Sequence, residues 1–293
     1  MTGNITGTII KGVAGQYTIA TASGTYICNA RGLFRKNKIK PIIGDKVAII
    51  TAENNNSEKN NENSTGTIAE ILPRTNALNR PKVANVDCII ITLAAAKPPL
   101  HFTMLDRYLM QAEYEQINAA ICINKIDLNS EIPQLVQEIY ATAGYPIFAV
   151  SAENQLNLAA VAQFVTAKIT VLAGPSGVGK TSLINTLTNK TLQTGTLSEK
   201  IDRGKHTTRH TEFFPLPQGG YIIDTPGFSS LDPPNLPKLE RATLFREFNG
   251  LLGQCRFSDC LHVSEQDCAI KNQVGKTINP RRYESYLELV KNP

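Results

Sequence analysis

Within this chain the run Gly174-Pro175-Ser176-Gly177-Val178-Gly179-Lys180-Thr181 constrains the fold most. It has the glycine and lysine spacing of a phosphate loop. An apolar run (169–173) precedes it and a helical pattern follows, the context such a loop needs. Glycines let the backbone turn so tightly that its N–H groups converge on phosphate oxygens, and the following helix adds the positive end of its dipole. Lys180 is then placed for the β- and γ-phosphates and the Thr181 hydroxyl for Mg²⁺, with Ser182 completing the nucleotide-binding run. The surrounding pattern agrees. Residues 88–93, 119–123 and 147–150 read as buried strands, alternating with helical stretches at 104–116, 132–142 and 156–167, and 211–215 with 220–223 as a hairpin. Strands alternating with helices predict a mostly parallel sheet covered on both faces.

A phosphate loop announces a nucleotide without naming its base. Asn124-Lys125-Ile126-Asp127 follows directly on the apolar run 119–123, so it falls at the carboxyl end of a strand, where α/β sheets bind ligands. In this pattern Asp127 accepts hydrogen bonds from guanine N1–H and the 2-amino group, neither of which adenine offers. Lys125 lies over the base, and Asn124 ties its loop to the phosphate loop. Ser151-Ala152 ends the next strand and suits a backbone N–H contact to guanine O6. Asp224-Thr-Pro-Gly227 ends the strand 221–223, with Asp224 expected to hold Mg²⁺ through water and the Gly227 N–H to sense the γ-phosphate. Between them lies Gly204-Lys-His206-Thr207-Thr208-Arg209, which reads as a switch loop with Thr207 or Thr208 as the metal-sensing hydroxyl. A kinase also uses a phosphate loop, but the Asn-Lys-Ile-Asp run argues for a GTPase.

The order of these motifs is unusual. In Ras-like GTPases the phosphate loop comes first and the base-reading motifs last. Here residues 124–127 and 151–152 precede it, a circular permutation that joins the old termini near residue 168 and cuts the chain after the second switch. Exposed, adjacent termini tolerate such a rearrangement. Its consequence is that whatever moves at Asp224–Gly227 pulls directly on the residues beyond 233.

The flanks complete the plan. Residues 8–11, 16–20, 24–29, 46–51 and 67–72 read as short strands of a small closed barrel of the oligonucleotide-binding type. The barrel carries Arg31, Arg35, Lys36, Lys38, Lys40 and Lys46, and the chain as a whole has a formal charge of +5, which suits a polyanionic partner. Arg281, Arg282, Lys271 and Lys276 are expected to add to that face. Cys255, Cys260, His262 and Cys268 supply three thiolates and an imidazole within fourteen residues, the closed tetrahedral set of a structural zinc site. The remaining segments beyond 233 read as helices at 238–248 and 280–290. Expected units are therefore a barrel (1–73), a permuted GTPase domain (74–232) and a mostly helical zinc-binding domain (233–293). No apolar run nears the roughly 20 residues of a membrane span. Singly placed cysteines (Cys28, Cys88, Cys122) fit reduced thiols, and with no leader pattern at residues 1–10 they predict a cytoplasmic protein; a monomer is expected.

Together these features closely resemble the RsgA family, also called YjeQ or YloQ, along essentially the whole chain. Shared runs include Arg31-Gly32, Gly44-Asp45, Pro73-Arg74, Arg80-Pro81, Ala84-Asn-Val-Asp87, Leu105-Asp-Arg107 and the Gly-Lys-His-Thr-Thr segment. The resemblance implies a bacterial GTPase of late small-subunit maturation that binds 16S rRNA on the 30S subunit near its decoding region. GTP is hydrolysed there under stimulation by the subunit, and release follows. It implies one structural Zn²⁺ per chain and Mg²⁺ with GTP. Ras-like enzymes place a water-orienting Gln where this chain has Phe228, and the resemblance supplies His206 as the catalytic candidate instead.

Overall fold

Five short strands rich in β-branched residues open the chain: β1 (Ile5–Val13), β2 (Gln16–Thr21), β3 (Gly24–Ala30), β4 (Lys46–Thr51) and β5 (Ser64–Ile71). The computed structural model, which describes residues 5–31, 34, 39–51, 64–79, 82–192, 212–224 and 236–291, closes them into a barrel of order β1-β2-β3-β5-β4. Pairs are antiparallel except β3 with β5, and β1 closes on β4. Ile9, Tyr17, Ile19, Cys28, Val47, Ile49 and Ile68 fill its interior. The expected small closed barrel is present.

A small hairpin, β6 (Ala77–Asn79) with β7 (Lys82–Ala84), leads out of the barrel. The joint is polar and specific. Buried Asp45 takes two hydrogen bonds from Arg74, at 2.6 and 2.9 Å, and one from the Ile42 N–H at 2.8 Å. Buried Asn85 donates to the Gly44 carbonyl at 2.9 Å. Gly44 adopts φ 86°, and a side chain there would collide with the Ala84 carbonyl, so only glycine lets the two backbones meet.

The next strands are nearly continuous apolar runs, the signature of a sheet buried on both faces. In chain order they are β8 (Cys88–Ala94), β9 (Asn118–Asn124), β10 (Ile147–Ala149), β11 (Ile169–Ala173), β12 (Glu212–Pro215) and β13 (Tyr221–Asp224). In space they run β10-β9-β8-β11-β13-β12, all parallel except the edge strand β12, which forms the expected hairpin with β13. Helices α1 (Phe102–Tyr114), α2 (Ile132–Tyr140), α3 (Leu158–Val165) and α4 (Lys180–Thr188) connect them. One apolar cluster packs α1 and α2 on Ile89, Ile91 and Ile121. The other packs α3 and α4 on Ile90, Cys122 and Leu172. The chain leaves β8 toward β9 but leaves β11 toward β13. The neighbours β8 and β11 therefore flank the switch point where a doubly wound sheet opens a binding crevice. The permutation joint, Thr166–Lys168, is three residues long and is pinned by Ala167 N–H to Gly219 O at 2.9 Å.

Beyond residue 236 the core gathers Phe245, Phe248, Ile270, Ile278, Tyr286 and Leu289, together with Met110 from α1. Helix α5 (Pro280–Lys291) is present as expected. The helix expected at 238–248 is instead two 3₁₀ segments, Lys238–Leu244 and Arg246–Phe248, broken where Phe245 turns extended at φ −107°, ψ 105°. The break lets Phe245 and Phe248 both pack edge-on against Tyr286, with ring centroids 5.3 and 5.0 Å away. Aromatic packing overrides a good local helix pattern here. Among the described residues, no helix is long and apolar enough to cross a membrane.

Candidate nucleotide and metal sites

Every described motif residue predicted to touch nucleotide lies at the carboxyl edge of the parallel strands. The loop from Gly174 to Gly179 leaves β11 and enters α4 at Lys180. Its glycines are backbone requirements. Gly174, Gly177 and Gly179 have φ of 130°, 78° and 94°. A side chain on Gly174 would strike the Thr92 carbonyl of β8, and one on Gly179 would strike the Asn124 amide. Val178 is buried beneath the loop. The Lys180 ammonium curls back onto the Gly174 and Pro175 carbonyls at 2.8 and 2.7 Å, inside the ring of backbone it is meant to serve. Burial lowers its pKa from the ordinary value, and the Asp224 carboxylate works in the other direction. Asp224 is buried at the end of β13, close enough for its charge to act on Lys180. Thr181 and Ser182 follow in the first turn of α4, half-buried.

Asn124 is the hinge pin of the site. Its amide nitrogen donates to the Val178 carbonyl at 2.9 Å, while its oxygen accepts from the N–H groups of Lys125 and Ala152 at 2.9 and 3.0 Å. One buried side chain thus fastens three loops: the phosphate loop, its own, and the Ser151-Ala152 turn. Lys125 takes a left-handed conformation (φ 63°), and its ammonium donates to the carbonyls of Lys97 and Gly177 at 2.7 and 2.6 Å. Those carbonyls belong to the two loops flanking the β8–β11 switch point, so Lys125 spans the crevice. Asp127 is exposed at the far end of this turn. Ser151 is fully buried, its hydroxyl accepting from the Asn154 N–H at 3.2 Å. The sequence pointed to none of the β8–α1 loop. Lys97 contributes only a backbone carbonyl, which leaves no side-chain signature. His206, Thr207, Thr208, Gly227 and Phe228 lie outside the described residues, as do Gly32, Arg35, Lys36, Lys38, Arg80 and Pro81.

In the C-terminal unit the ligand atoms of Cys255, Cys260, His262 and Cys268 all lie within 4.8 Å of one another, a group that can hold a metal ion. Cys260, His262 and Cys268 are buried. Burial also holds the His262 pKa below its ordinary value despite Glu265, which favours the neutral ring a metal requires. The Glu265 carboxylate accepts N–H groups of Leu261, Val263 and Ser264 at 2.8 to 3.0 Å and so shapes the ligand loop. Those bonds bring its pKa down to about 2 even though burial pulls upward. Tyr283 and Tyr286 of α5 donate to the carbonyls of His262 and Leu261, both at 2.7 Å. None of the six cysteines is in a disulfide; Cys28, Cys88 and Cys122 are buried in the barrel and sheet.

Of the basic residues expected on a polyanion-binding face, Arg31, Lys40 and Lys46 are exposed on the barrel. Arg282 is not. It is 1% exposed and ion-paired inside the protein, which removes it from any such face.

Comparison with known proteins agrees with this geometry. A family model described as RsgA GTPase matches residues 71–234, more than half the chain, and the RsgA N-terminal domain model matches residues 6–58. The small ribosomal subunit biogenesis GTPase RsgA of Caldanaerobacter subterraneus subsp. tengcongensis is 45% identical over 291 residues, covering 98% of this chain and 95% of that protein. Its namesake from Carboxydothermus hydrogenoformans is 41% identical over 284 residues, covering 96% and 95%. Among solved structures, YloQ, a circularly permuted GTPase, superposes with a TM-score of 0.80 at 33% identity, covering 99% of this chain and 94% of its own. YjeQ from Thermotoga maritima superposes at 0.82 and 30% identity, covering 99% and 98%. The chain therefore belongs to the RsgA family of circularly permuted GTPases.

Proposed function

We propose that this GTPase acts late in maturation of the 30S ribosomal subunit, binding 16S rRNA in its GTP state and leaving after hydrolysis stimulated by the subunit. The observation that carries the reading is the Asn124 and Lys125 network, which makes the base-reading loops and the phosphate loop one structure across the sheet's switch point. A site built this way holds a guanine nucleotide as a unit and passes its phosphate state to both flanks. The relatives' shared name supports the small ribosomal subunit as partner, and the exposed basic barrel residues suit rRNA. In this reading, residues 1–73, 74–232 and 233–293 are the RNA-binding, GTPase and zinc-binding units.

The site roles follow. Residues 174–182 cradle the phosphates, Thr181 and Asp224 hold Mg²⁺, and Thr207 or Thr208 with Gly227 sense the γ-phosphate. Asn124, Lys125 and Asp127, with Ser151 and Ala152, read guanine. The direct test is multiple-turnover GTP hydrolysis with and without purified 30S subunits. Stimulation by several powers of ten is expected, and an unchanged rate would leave an RNA-binding factor in which GTP is only structural.

Zinc is the metal we assign to the Cys/His group. A tetrahedral Zn²⁺ with ordinary bond lengths sets sulfur–sulfur edges of about 3.8 Å and sulfur–nitrogen edges of about 3.6 Å. Cys255 and Cys268 sulfurs stand 3.8 Å apart, and the His262 Nδ1 lies 3.5 and 3.4 Å from them. With four protein donors the ion is structural. Such sites contribute roughly 10 kcal/mol or more to folding. Purified protein should carry about one zinc per chain, and Cys260→Ala should lose it and become protease-sensitive beyond residue 240. Metal-free protein with unchanged proteolysis there would refute the assignment.

A further inference from the structure

The carbonyl that holds Lys125 sits in a loop whose other end is gripped by the C-terminal unit. Lys97 lies five residues before Phe102, the first residue of α1. Helix α5 holds that first turn at three points. The Arg281 guanidinium lies over the Phe102 ring at 5.3 Å. Thr103 donates its hydroxyl hydrogen to Glu288 at 2.6 Å. Asp106, buried, accepts from Arg282 and, at 2.6 Å, from the Tyr140 hydroxyl of α2. Arg282 in turn forks onto Glu247 at 2.5 and 2.9 Å and lies over the Tyr140 and Phe245 rings. The same helix also bonds the carbonyls of the metal-ligand loop through Tyr283 and Tyr286. A continuous set of contacts therefore runs from the Cys/His group through α5 and the head of α1 to Lys97, Lys125 and Gly177.

The chemistry of the middle link matters. A buried cation between two carboxylates is a poor way to gain stability, since apolar residues of the same volume do as well or better. What it supplies is registry. Apolar contact tolerates sliding, whereas a guanidinium fork with fixed hydrogen-bond directions allows one placement of α5 against α1 and leaves unpaired buried charge in any other.

We propose that Arg282 is a positioning residue for the nucleotide site: through Asp106 it fixes the head of α1, and with it the Lys97 carbonyl that aims Lys125 across the crevice. The placement of the metal-bearing unit thereby sets how long guanine nucleotide stays bound. By linkage, a partner that shifts this unit shifts nucleotide affinity, and nucleotide shifts the partner's affinity by the same factor. This route is separate from the chain connection that follows Asp224. It rests on the reading of Lys125 as part of the guanine clamp.

The test is release of fluorescent GDP from the full chain by stopped flow, for Arg282→Lys and Thr103→Val, each made with Lys125 intact and with Lys125→Met. Coupling of ordinary size predicts that Arg282→Lys speeds release by about fivefold or more with Lys125 intact. In the Lys125→Met background the same change should have less than about a twofold effect, because the group it acts through is gone. Thr103→Val, which removes a contact near the surface, should show a smaller acceleration with the same dependence on Lys125. It decides the matter if thermal melts show Arg282→Lys unfolded. An equal factor in both backgrounds, or no change from either variant, overturns the coupling alone. Lys125→Met releasing GDP at the native rate overturns the clamp reading and the coupling with it.

Discussion

Asp127→Asn is expected to cost GDP at least about a hundredfold in affinity while raising the affinity for xanthosine diphosphate. Guanine presents two donors, N1–H and the 2-amino group, to one ionised carboxylate. Hydrogen bonds to a charged group contribute about 1.5–3 kcal/mol each, and a hundredfold is about 2.8 kcal/mol, so losing the bond to the 2-amino group while weakening the one to N1–H suffices. An amide at this position keeps one acceptor and turns the other into a donor, which meets the 2-oxo group of xanthine and repels the 2-amino group of guanine. Asp127 stands exposed at the end of the turn that Asn124 and Lys125 hold rigid, so the substitution changes recognition without loosening the loop. Competition against fluorescent GDP measures all three nucleotides. In the native chain ADP should bind at least about a hundredfold more weakly than GDP, since a site built for guanine's donors leaves a carboxylate unpaired against adenine. Equal affinity for ADP and GDP would refute the base-reading role of residues 124–127.

What was legible in the sequence was whatever the backbone or the core demands of a residue type. Gly174 and Gly179 could be read because no other residue fits against Thr92 and Asn124 at those dihedrals. The strands could be read because burial on both faces requires unbroken apolar runs, as at Cys88–Ala94 and Ile169–Ala173. The metal group could be read from ligand spacing. Contacts between units were less legible, because their residues are charged and look solvated in isolation. Gly44-Asp45, Pro73-Arg74, Ala84–Asp87 and Leu105–Arg107 stand out in the sequence only as runs shared with the family. In the structure Asp45, Arg74 and Asn85 bolt the barrel to the sheet, and Asp106 bolts α1 to α5. Arg282 shows both the failure and the missed signal. Beside Arg281 it reads as part of a basic face, yet residues one apart on a helix point about 100° away from each other. Arg282, Ser285, Tyr286, Leu289 and Val290 fall at helical spacing on the buried stripe. A charged residue on an apolar stripe needs a buried counter-charge, and Asp106 with Glu247 supplies it.

His206→Ala should remove most of the hydrolysis that the 30S subunit stimulates while leaving GTP affinity and subunit binding nearly intact. Phe228 occupies the position where Ras-like enzymes orient the attacking water with a glutamine. A phenyl ring can neither donate to nor accept from water, so the isolated chain should turn over slowly. Intrinsic rates for such switches are on the order of 10⁻⁴ to 10⁻² s⁻¹, and a stimulating partner adds several powers of ten. The proposal is that the subunit brings the His206 imidazole to the attacking water, so the substitution acts on the stimulated rate and changes the basal rate far less. Lys180→Ala provides the contrast. Lys180 lies within the ring of phosphate-loop carbonyls, so its loss removes nucleotide binding and basal turnover together. Single-turnover hydrolysis at saturating 30S, with GTP affinity measured separately, distinguishes the two patterns. If His206→Ala keeps near-normal stimulated turnover, the imidazole has no catalytic role, and a group supplied by the subunit or a water held by backbone becomes the better account.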